Sequence, residues 1–230
     1  MLSLLAILAT SAVASASASA AECPDTIKGG DYAVCVRSSP TATPKEYEGT
    51  LEGTSGTSVL TATVLGVKVK ITCTSDKFLD TAEDSGFSKG SITFENCSVT
   101  EPKNCKLPTA QKEKIVANFT NQLATPPASP RGVTFTGSGA GEEFTSITLE
   151  NNGTNCAIAN TYKITGNTGT GCTFDAEIET FKPTALSPAE HELTCVATGE
   201  ALKLGGNTAS FTSTAKVKTS TKEEFAILES

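Results

Sequence analysis

Eight cysteines constrain what this chain of 230 residues can fold into more than any other feature of its sequence. All of them follow an apolar leader, and an even number of cysteines in an exported chain favours disulfides. Zinc is the competing interpretation, but the chain has no C-x-x-C pair and a single histidine, His191, whereas structural zinc sites use closely spaced Cys and His. We therefore expect disulfides among Cys23, Cys35, Cys73, Cys97, Cys105, Cys156, Cys172 and Cys195.

The pairing of these cysteines is a hypothesis, because eight cysteines permit 105 connectivities. Proximity in sequence predicts the pairs Cys23–Cys35, Cys73–Cys97 and Cys156–Cys172, and leaves Cys105 for Cys195. A bond between Cys73 and Cys97 would close a loop of about 25 residues and stabilise the fold by roughly 3 kcal/mol.

The first twenty residues indicate a signal peptide. An apolar run from Leu2 to Ala14 precedes two Ala-x-Ala sites, at 16–18 and 18–20. No Lys or Arg precedes Lys28, which a misassigned start codon would explain. A lipoprotein signal is the alternative, but Ala21 and Glu22 are not the usual apolar residues before a lipidated cysteine such as Cys23. We expect 1–20 to be removed and 21–230 to be secreted, extracellular or in the cell envelope.

The charge and hydropathy of the remaining chain exclude two classes of partner. All 25 acidic and 18 basic residues follow the leader, and the net charge is −7 without a basic run. Nucleic-acid binding normally requires clustered Lys and Arg, so we expect no nucleic-acid partner. No segment approaches the about 20 apolar residues of a spanning helix, so we expect no transmembrane segment in the mature chain.

Period-2 alternation of apolar residues with Thr, Ser or Lys predicts β-strands. Residues 58–64 and 67–73, joined by Leu65-Gly66, predict a hairpin in which Val67, Val69, Ile71 and Cys73 share one face. A polar loop over 75–89 is expected next. The strand 91–97 then has Ile92 and Phe94 on one face and Cys97 on the other.

Further short strands alternate with Gly- and Asn-rich turns, which is typical of all-β folds. The prediction is an antiparallel β-sandwich or open barrel stapled by disulfides, within one β-rich domain over 21–230. Prolines in 124–130 make a loop boundary near 124–132 possible. The expected strands are 114–120, with a short helix over 111–114 as an alternative start, and 133–136, 143–150, 162–165, 172–178, 192–197 and 209–217.

Histidine-dependent catalysis depends on His191 alone. Its neighbours Glu190 and Glu192 could orient it as a base, but no G-x-S-x-G nucleophile motif occurs. The favoured interpretation is a solvated residue at the edge of a strand.

Paired carboxylates are the other candidate for catalysis, as in glycoside hydrolases. Glu177 and Glu179 would lie about 6 to 7 Å apart on one strand face, which is common for any solvated strand. The other adjacent pairs are Glu142 with Glu143 and Glu223 with Glu224. A glycan would also need aromatic platforms. The chain has no Trp, and its tyrosines are Tyr32, Tyr47 and Tyr162.

No cofactor is expected. Asp76, Asp80 and Asp84, with Glu83, fit no EF-hand spacing and indicate a solubilising acidic loop. Gly-rich 137–141 lacks the Lys-Ser or Lys-Thr of a phosphate-binding loop. N-x-[ST] sequons occur at Asn96, Asn118 and Asn152, and matter only in a host that glycosylates secreted proteins.

Several segments of the sequence resemble segments of other proteins. Residues 50–57, 66–75 and 92–97, together with 191–194, 199–206 and 209–211, resemble a group of uncharacterised secreted proteins of soil actinobacteria. The resemblance implies export and a β fold, and it implies no functional residues, because the group has no assigned activity.

The expected function is therefore a non-enzymatic structural or interaction module of the cell exterior. A carbohydrate-binding or adhesin-like domain, with a glycan or envelope partner, is the alternative. A carboxylate-dependent glycoside hydrolase is the second alternative.

Overall fold

A computed structural model describes residue 23 and residues 32–82, 87–123, 132–179, 181, 189–199 and 201–229. The leader predicted over 1–20 and the prolines of 124–130 lie outside these ranges. The described strands are β1 (Tyr32–Arg37), β2 (Lys45–Glu46), β3 (Thr50–Ser55), β4 (Ser58–Val64), β5 (Val67–Ala82), β6 (Phe87–Glu101), β7 (Cys105–Lys106), β8 (Lys114–Leu123), β9 (Gly132–Gly137), β10 (Glu143–Asn151), β11 (Asn160–Gly166), β12 (Cys172–Phe174), β13 (Glu190–Ala197), β14 (Leu202–Leu204), β15 (Asn207–Thr219) and β16 (Glu224–Glu229).

Helical structure is scarce in the described ranges. One short helix, α1 (Thr109–Glu113), precedes β8, and a 3₁₀ turn covers Ala176–Glu179. Neither helix has the length and hydropathy needed to cross a membrane, and the described part of the chain contains no other that does.

Eight described strands form a closed antiparallel ring. Their order is β3, β5, β6, β8, β9, β12, β13 and β15, and β15 returns to β3. Strand β4 follows β3 and pairs with the same two neighbours, β5 and β15. The predicted antiparallel all-β class is confirmed, and the pairing of β13 with β15 closes the sheet.

Two smaller groups of strands extend this ring. Strands β14, β11, β10 and β7 continue outward from β15 in that order. Strands β16, β1 and β2 form a separate three-stranded sheet, which packs against the ring through Phe225 and Ile227.

The buried apolar residues fall into two clusters. The first cluster lies between β4, β5 and the β10–β11–β14 extension, and includes Val69, Ile147 and Leu204. The second cluster fills the other part of the ring, where the Phe119 ring lies 5.0 Å from Phe135 in a T-shaped arrangement. The long strands β5, β6 and β15 contribute to both clusters.

An irregularity in the middle of β5 and β6 lets each strand serve both clusters. Asn96 has φ 52°, a left-handed conformation that Asn tolerates better than most residues. The alternation of β6 therefore shifts by one position, and Cys97 is buried although Ile92 and Phe94 also point inward. In β5, the buried positions change parity between Cys73 and Asp76. The prediction that Cys97 lies on the opposite face from Phe94 was wrong for this reason.

The hairpin predicted over 58–73 is confirmed. Val64 pairs with Val67 across a two-residue turn, in which Leu65 and Gly66 have φ values of 49° and 79°. Such positive values are required by the turns that match the twist of a hairpin. The buried positions of β5 in this region are Val69, Ile71 and Cys73, with Val67 partly buried, as predicted.

Two predicted boundaries were wrong. The polar segment 75–89 is not a loop, because β5 continues to Ala82 and β6 begins at Phe87. The strand predicted over 172–178 ends at Phe174, and the 3₁₀ turn follows. The strands predicted over 114–120, 133–136, 143–150, 162–165, 192–197 and 209–217 all exist, and α1 supplies the alternative start before β8.

All eight cysteines are described, and they form four disulfides. The bonds Cys23–Cys35 and Cys73–Cys97 are as predicted. The other two predicted bonds are wrong: the structure joins Cys105 to Cys156 and Cys172 to Cys195. Cys172 lies directly opposite Cys195 in the β12–β13 pair, whereas Cys105 and Cys156 lie beside the end of β10.

Candidate functional site

A cavity of about 90 Å³ lies where the two clusters meet. Phe144 and Phe211 pack against both clusters and line this cavity. Strands β4, β5, β6, β8, β10 and β15 supply most of its wall because their inward-facing residues converge there. The walls are almost entirely apolar.

Several large apolar side chains of the wall are only partly buried. They include Leu60, Phe94, Phe144, Ile164 and Phe211, which contact the core and still retain accessible surface. Apolar surface that is left accessible beside a core favours occupation by an apolar group, at roughly 25 cal/mol per Å². An apolar cavity of about 150 Å³ binds benzene. This cavity of about 90 Å³ is smaller and only partly enclosed, so it holds a short alkyl group, or part of a ring whose remainder extends through the open side.

One polar residue of the wall belongs to a buried hydrogen-bond cluster. Ser58 lines the cavity, and its hydroxyl donates to Oδ2 of Asp76, which is 3% exposed. Ser213 Oγ lies 3.3 Å from the same oxygen and 2.9 Å from Ser58 Oγ. Ser55 adds a hydroxyl 3.3 Å from Ser213. We call Ser55, Ser58, Asp76 and Ser213 the Asp76 cluster.

A second buried cluster lies on the same strand, four residues further on. Asp80 accepts hydrogen bonds of 2.6 Å from Ser88 Oγ and from Asn121 Nδ2. These three residues line a separate cavity of about 30 Å³. Asp76 and Asp80 are therefore buried strand residues, and the prediction of an exposed acidic loop was wrong for both. Glu83 and Asp84 lie outside the described residues. The described side chains include no group of three that could hold a metal ion.

His191 is buried on β13, at 1% exposure, and not solvated as predicted. Its Nδ1 lies 3.0 Å from Asp175 Oδ1, and its Nε2 lies 2.9 Å from the main-chain oxygen of Phe225. Both partners are acceptors, so both bonds are made together only when both ring nitrogens carry a proton. The hydrogen bond to Phe225 holds β16 against β13, and the bond to Asp175 holds the segment after β12 there as well.

This arrangement does not provide a general base. Asp175, and not Glu190 or Glu192, orients the ring, and Nε2 contacts a carbonyl where a catalytic site would place a nucleophile. Sequence reasoning missed Asp175 because it lies on the segment between β12 and the 3₁₀ turn, 16 residues from His191.

The hydrogen bonds of Asp175 make the stability of the folded chain depend on pH. Partial burial of its carboxyl opposes ionisation, but hydrogen bonds from His191 and from the main-chain N–H of Glu192 outweigh this, so its pKa is lowered. A lowered folded-state pKa gives stabilisation that is complete above the unfolded value of about 3.9 and is lost as the pH falls through the folded value. We expect the midpoint of thermal unfolding to fall over this acidic range less steeply in Asp175→Asn than in the unchanged chain. Equal slopes would contradict this role, and Glu190→Gln is the exposed control.

The carboxylate pairs predicted as catalytic candidates do not act together. One carboxylate in each of two pairs, Glu224 and Glu143, binds a basic side chain instead. Glu224 has a fully buried side chain, and its Oε2 lies 2.8 Å from Arg37 Nη2. Glu143 forms an ion pair of 2.7 Å with Lys163, and this hydrogen bond, with a second from Ser146, lowers the pKa of Glu143. Glu177 and Glu179 lie in the 3₁₀ turn, so they do not share a strand face as predicted.

The tyrosines considered for glycan stacking are structural where they are described. Tyr47 and Tyr162 are each 9% exposed. The Tyr47 hydroxyl donates to Thr50 O at 2.8 Å, and that of Tyr162 donates to Ile158 O at 2.9 Å. The side chain of Tyr32 lies outside the described part. Buried rings of this kind cannot form a platform for a sugar.

The remaining sequence motifs lie on the surface, apart from the buried Gly137. All three sequon asparagines are exposed, and Asn152 Nδ2 donates to Lys103 O at 3.1 Å. The Gly-rich segment 137–141 forms the turn between β9 and β10, where Gly139 pairs with Glu143. Asn118 adjoins Ala117 of the cavity wall, but none of the three sequon asparagines lines the cavity.

The cavity itself was not predicted, although the signals for its polar edge were present. Ser58 has the same parity as Leu60, Ala62 and Val64, so alternation already directed it inward. Asp76 has the parity of Phe78. Buried polar residues at inward positions are the observation that marks a site.

Comparison of the chain with family models, with curated proteins and with solved structures found no significant match.

Proposed function

We propose that this protein is an exported, non-enzymatic binding module that holds a small apolar ligand in the cavity between its two clusters. The observation that carries the proposal is the cavity of about 90 Å³ with an almost entirely apolar wall. Small-molecule sites are concave and mostly apolar, with a few placed polar groups. Four disulfides support export, because such bonds form and persist in oxidising compartments.

The rigidity of the surrounding sheet also supports binding. The wall strands belong to a closed ring and to the extension beside it, and cross-strand disulfides Cys73–Cys97 and Cys172–Cys195 lie in the same sheet. Cys73 and Cys195 line the cavity directly. A site built on rigid strands is held open without a ligand, which lowers the entropy lost on binding.

Toluene tests this proposal directly. We expect it to shift the methyl resonances of Ile147 and Ile164, which line the cavity, in a saturable titration. The methyl group of Ile178, which is buried away from the cavity, is the internal reference.

Two variants at neighbouring positions show whether the cavity is the site. Ala117 is buried and lines the cavity, so Ala117→Leu fills it, and we expect toluene affinity to fall about tenfold or more. Val116 is 37% exposed on the opposite face of the same strand, so Val116→Leu should leave the affinity unchanged. Absence of a saturable shift, or an equal loss in both variants, would overturn the proposal.

A further inference from the structure

The Asp76 cluster gives the apolar cavity a polar end of defined character. We propose that the ligand is an apolar molecule with one hydrogen-bond donor, an alcohol or an ammonium group, and that Ser58, supported by Asp76, accepts this donor. This inference rests on the proposed function and specifies the chemical class of its ligand.

The hydroxyl of Ser58 explains why a donor is selected. A serine hydroxyl has one proton and two lone pairs. The proton of Ser58 is directed to Asp76 Oδ2, so the hydrogen bond with Ser213 Oγ at 2.9 Å uses one lone pair of Ser58 Oγ. The second lone pair is left for a donor in the cavity that Ser58 lines. An O–H or N–H group of the ligand can bond to this lone pair, whereas a ligand carbonyl or carboxylate meets another acceptor.

The buried carboxyl of Asp76 adds an electrostatic preference. Asp76 is 3% exposed, and among the described residues no Lys, Arg or His forms an ion pair with it. Its neighbour Lys77 points to the other face and pairs with Glu95 at 2.8 Å. Electrostatic interactions are strong in a medium of low polarity. Across the Ser58 hydroxyl, the carboxylate of Asp76 therefore attracts a cationic ligand and repels an anionic one.

The aromatic part of the wall is compatible with the same ligand class. Phe94 and Phe211 line the cavity and pack edge to face, with ring centroids 5.9 Å apart. Aromatic faces attract alkylammonium groups as well as apolar carbon. An anionic amphiphile such as a fatty acid is disfavoured at the polar end.

Four ligands with the same ring test this selectivity: toluene, benzyl alcohol, benzylammonium and benzoate at pH 7. We expect benzyl alcohol and benzylammonium to bind about tenfold more tightly than toluene, as one hydrogen bond allows. Benzoate should bind at least as weakly as toluene. The Ile147 and Ile164 methyl groups report all four titrations.

Variants identify the residues responsible. Ser58→Ala removes the acceptor, and Asp76→Asn removes the charge, so we expect each to reduce the preference for the alcohol and the ammonium over toluene to within about twofold. Asp80→Asn is the matched control, because Asp80 is equally buried on the same strand but lines the other cavity. If Asp76→Asn does not fold, Ser58→Ala decides the question alone.

The outcomes separate the two proposals. If none of the four ligands binds, the proposed function fails and this inference fails with it. If toluene binds but benzoate binds as tightly as benzyl alcohol, the apolar site stands and this inference is overturned. A preference that survives in Ser58→Ala, or that is lost equally in Asp80→Asn, also overturns it.

Discussion

Replacement of both Cys105 and Cys156 by alanine is expected to lower the free energy of unfolding by about 4 kcal/mol. This disulfide spans 51 residues, the longest separation of the four, and the entropy that a cross-link removes from the unfolded chain rises with that length. The bond also fixes the two-residue strand β7 beside the end of β10. Urea unfolding followed by circular dichroism measures the change.

The same variant should disturb the cavity. Ile147 on β10 lines the cavity, so we expect its methyl resonance to shift when the anchor beside β10 is lost. The double replacement of Cys23 and Cys35 is the control, because that bond joins residues of a separate small cluster with Ala226. It should destabilise the chain and leave the Ile147 resonance in place. A loss below about 1 kcal/mol for the Cys105–Cys156 variant would contradict the expected role.

The second large effect is expected at the ion pair between Arg37 and Glu224. Arg37 is 5% exposed and the Glu224 side chain is fully buried, with Nε and Nη2 of the arginine at 3.0 and 2.8 Å from Oε2. Arg37→Met leaves a buried carboxylate without its arginine, and such a change costs about 3 to 5 kcal/mol. It also removes the contact of the guanidinium with the ring of Phe181, 4.8 Å away.

A double variant separates the ion pair from the packing. Replacing a buried pair by apolar residues of similar size is often neutral. We therefore expect Arg37→Met with Glu224→Leu to recover most of the stability that Arg37→Met loses. Lys68→Met, which breaks an ion pair between a 65% and a 45% exposed side chain, should cost less than about 1 kcal/mol. Similar losses for the buried and the exposed pair would show that burial does not matter here.

The sequence predicted those parts of the fold that depend on local alternation. The hairpin 58–73 and the strands β8 and β13 have a period of two, and burial on one face enforces it. Asn96 interrupts this pattern, and its left-handed conformation is a local choice that alternation cannot show. The face of Cys97 was wrong for that reason.

Long-range contacts account for the other errors. Proximity in sequence joined Cys156 to Cys172, but Cys172 lies opposite Cys195 because β12 pairs with β13. Strand β16 was not predicted, because Glu224 resembles a surface residue until Arg37, 187 positions away, neutralises it. His191 was assigned to solvent because Asp175 and Phe225 approach it only in the folded chain.

The pairing of β15 with β3, β4 and β13 also determines when the protein can complete its fold. Val217 lies opposite both Gly53 and His191, so the ring closes only after residue 217 is available. Contacts between such distant segments form slowly, and the unpaired strands are open to aggregation until they do. We therefore expect the ring to close only after almost the entire chain has been synthesised and, where it is exported, translocated. Until then the earlier strands lack their pairing with β15.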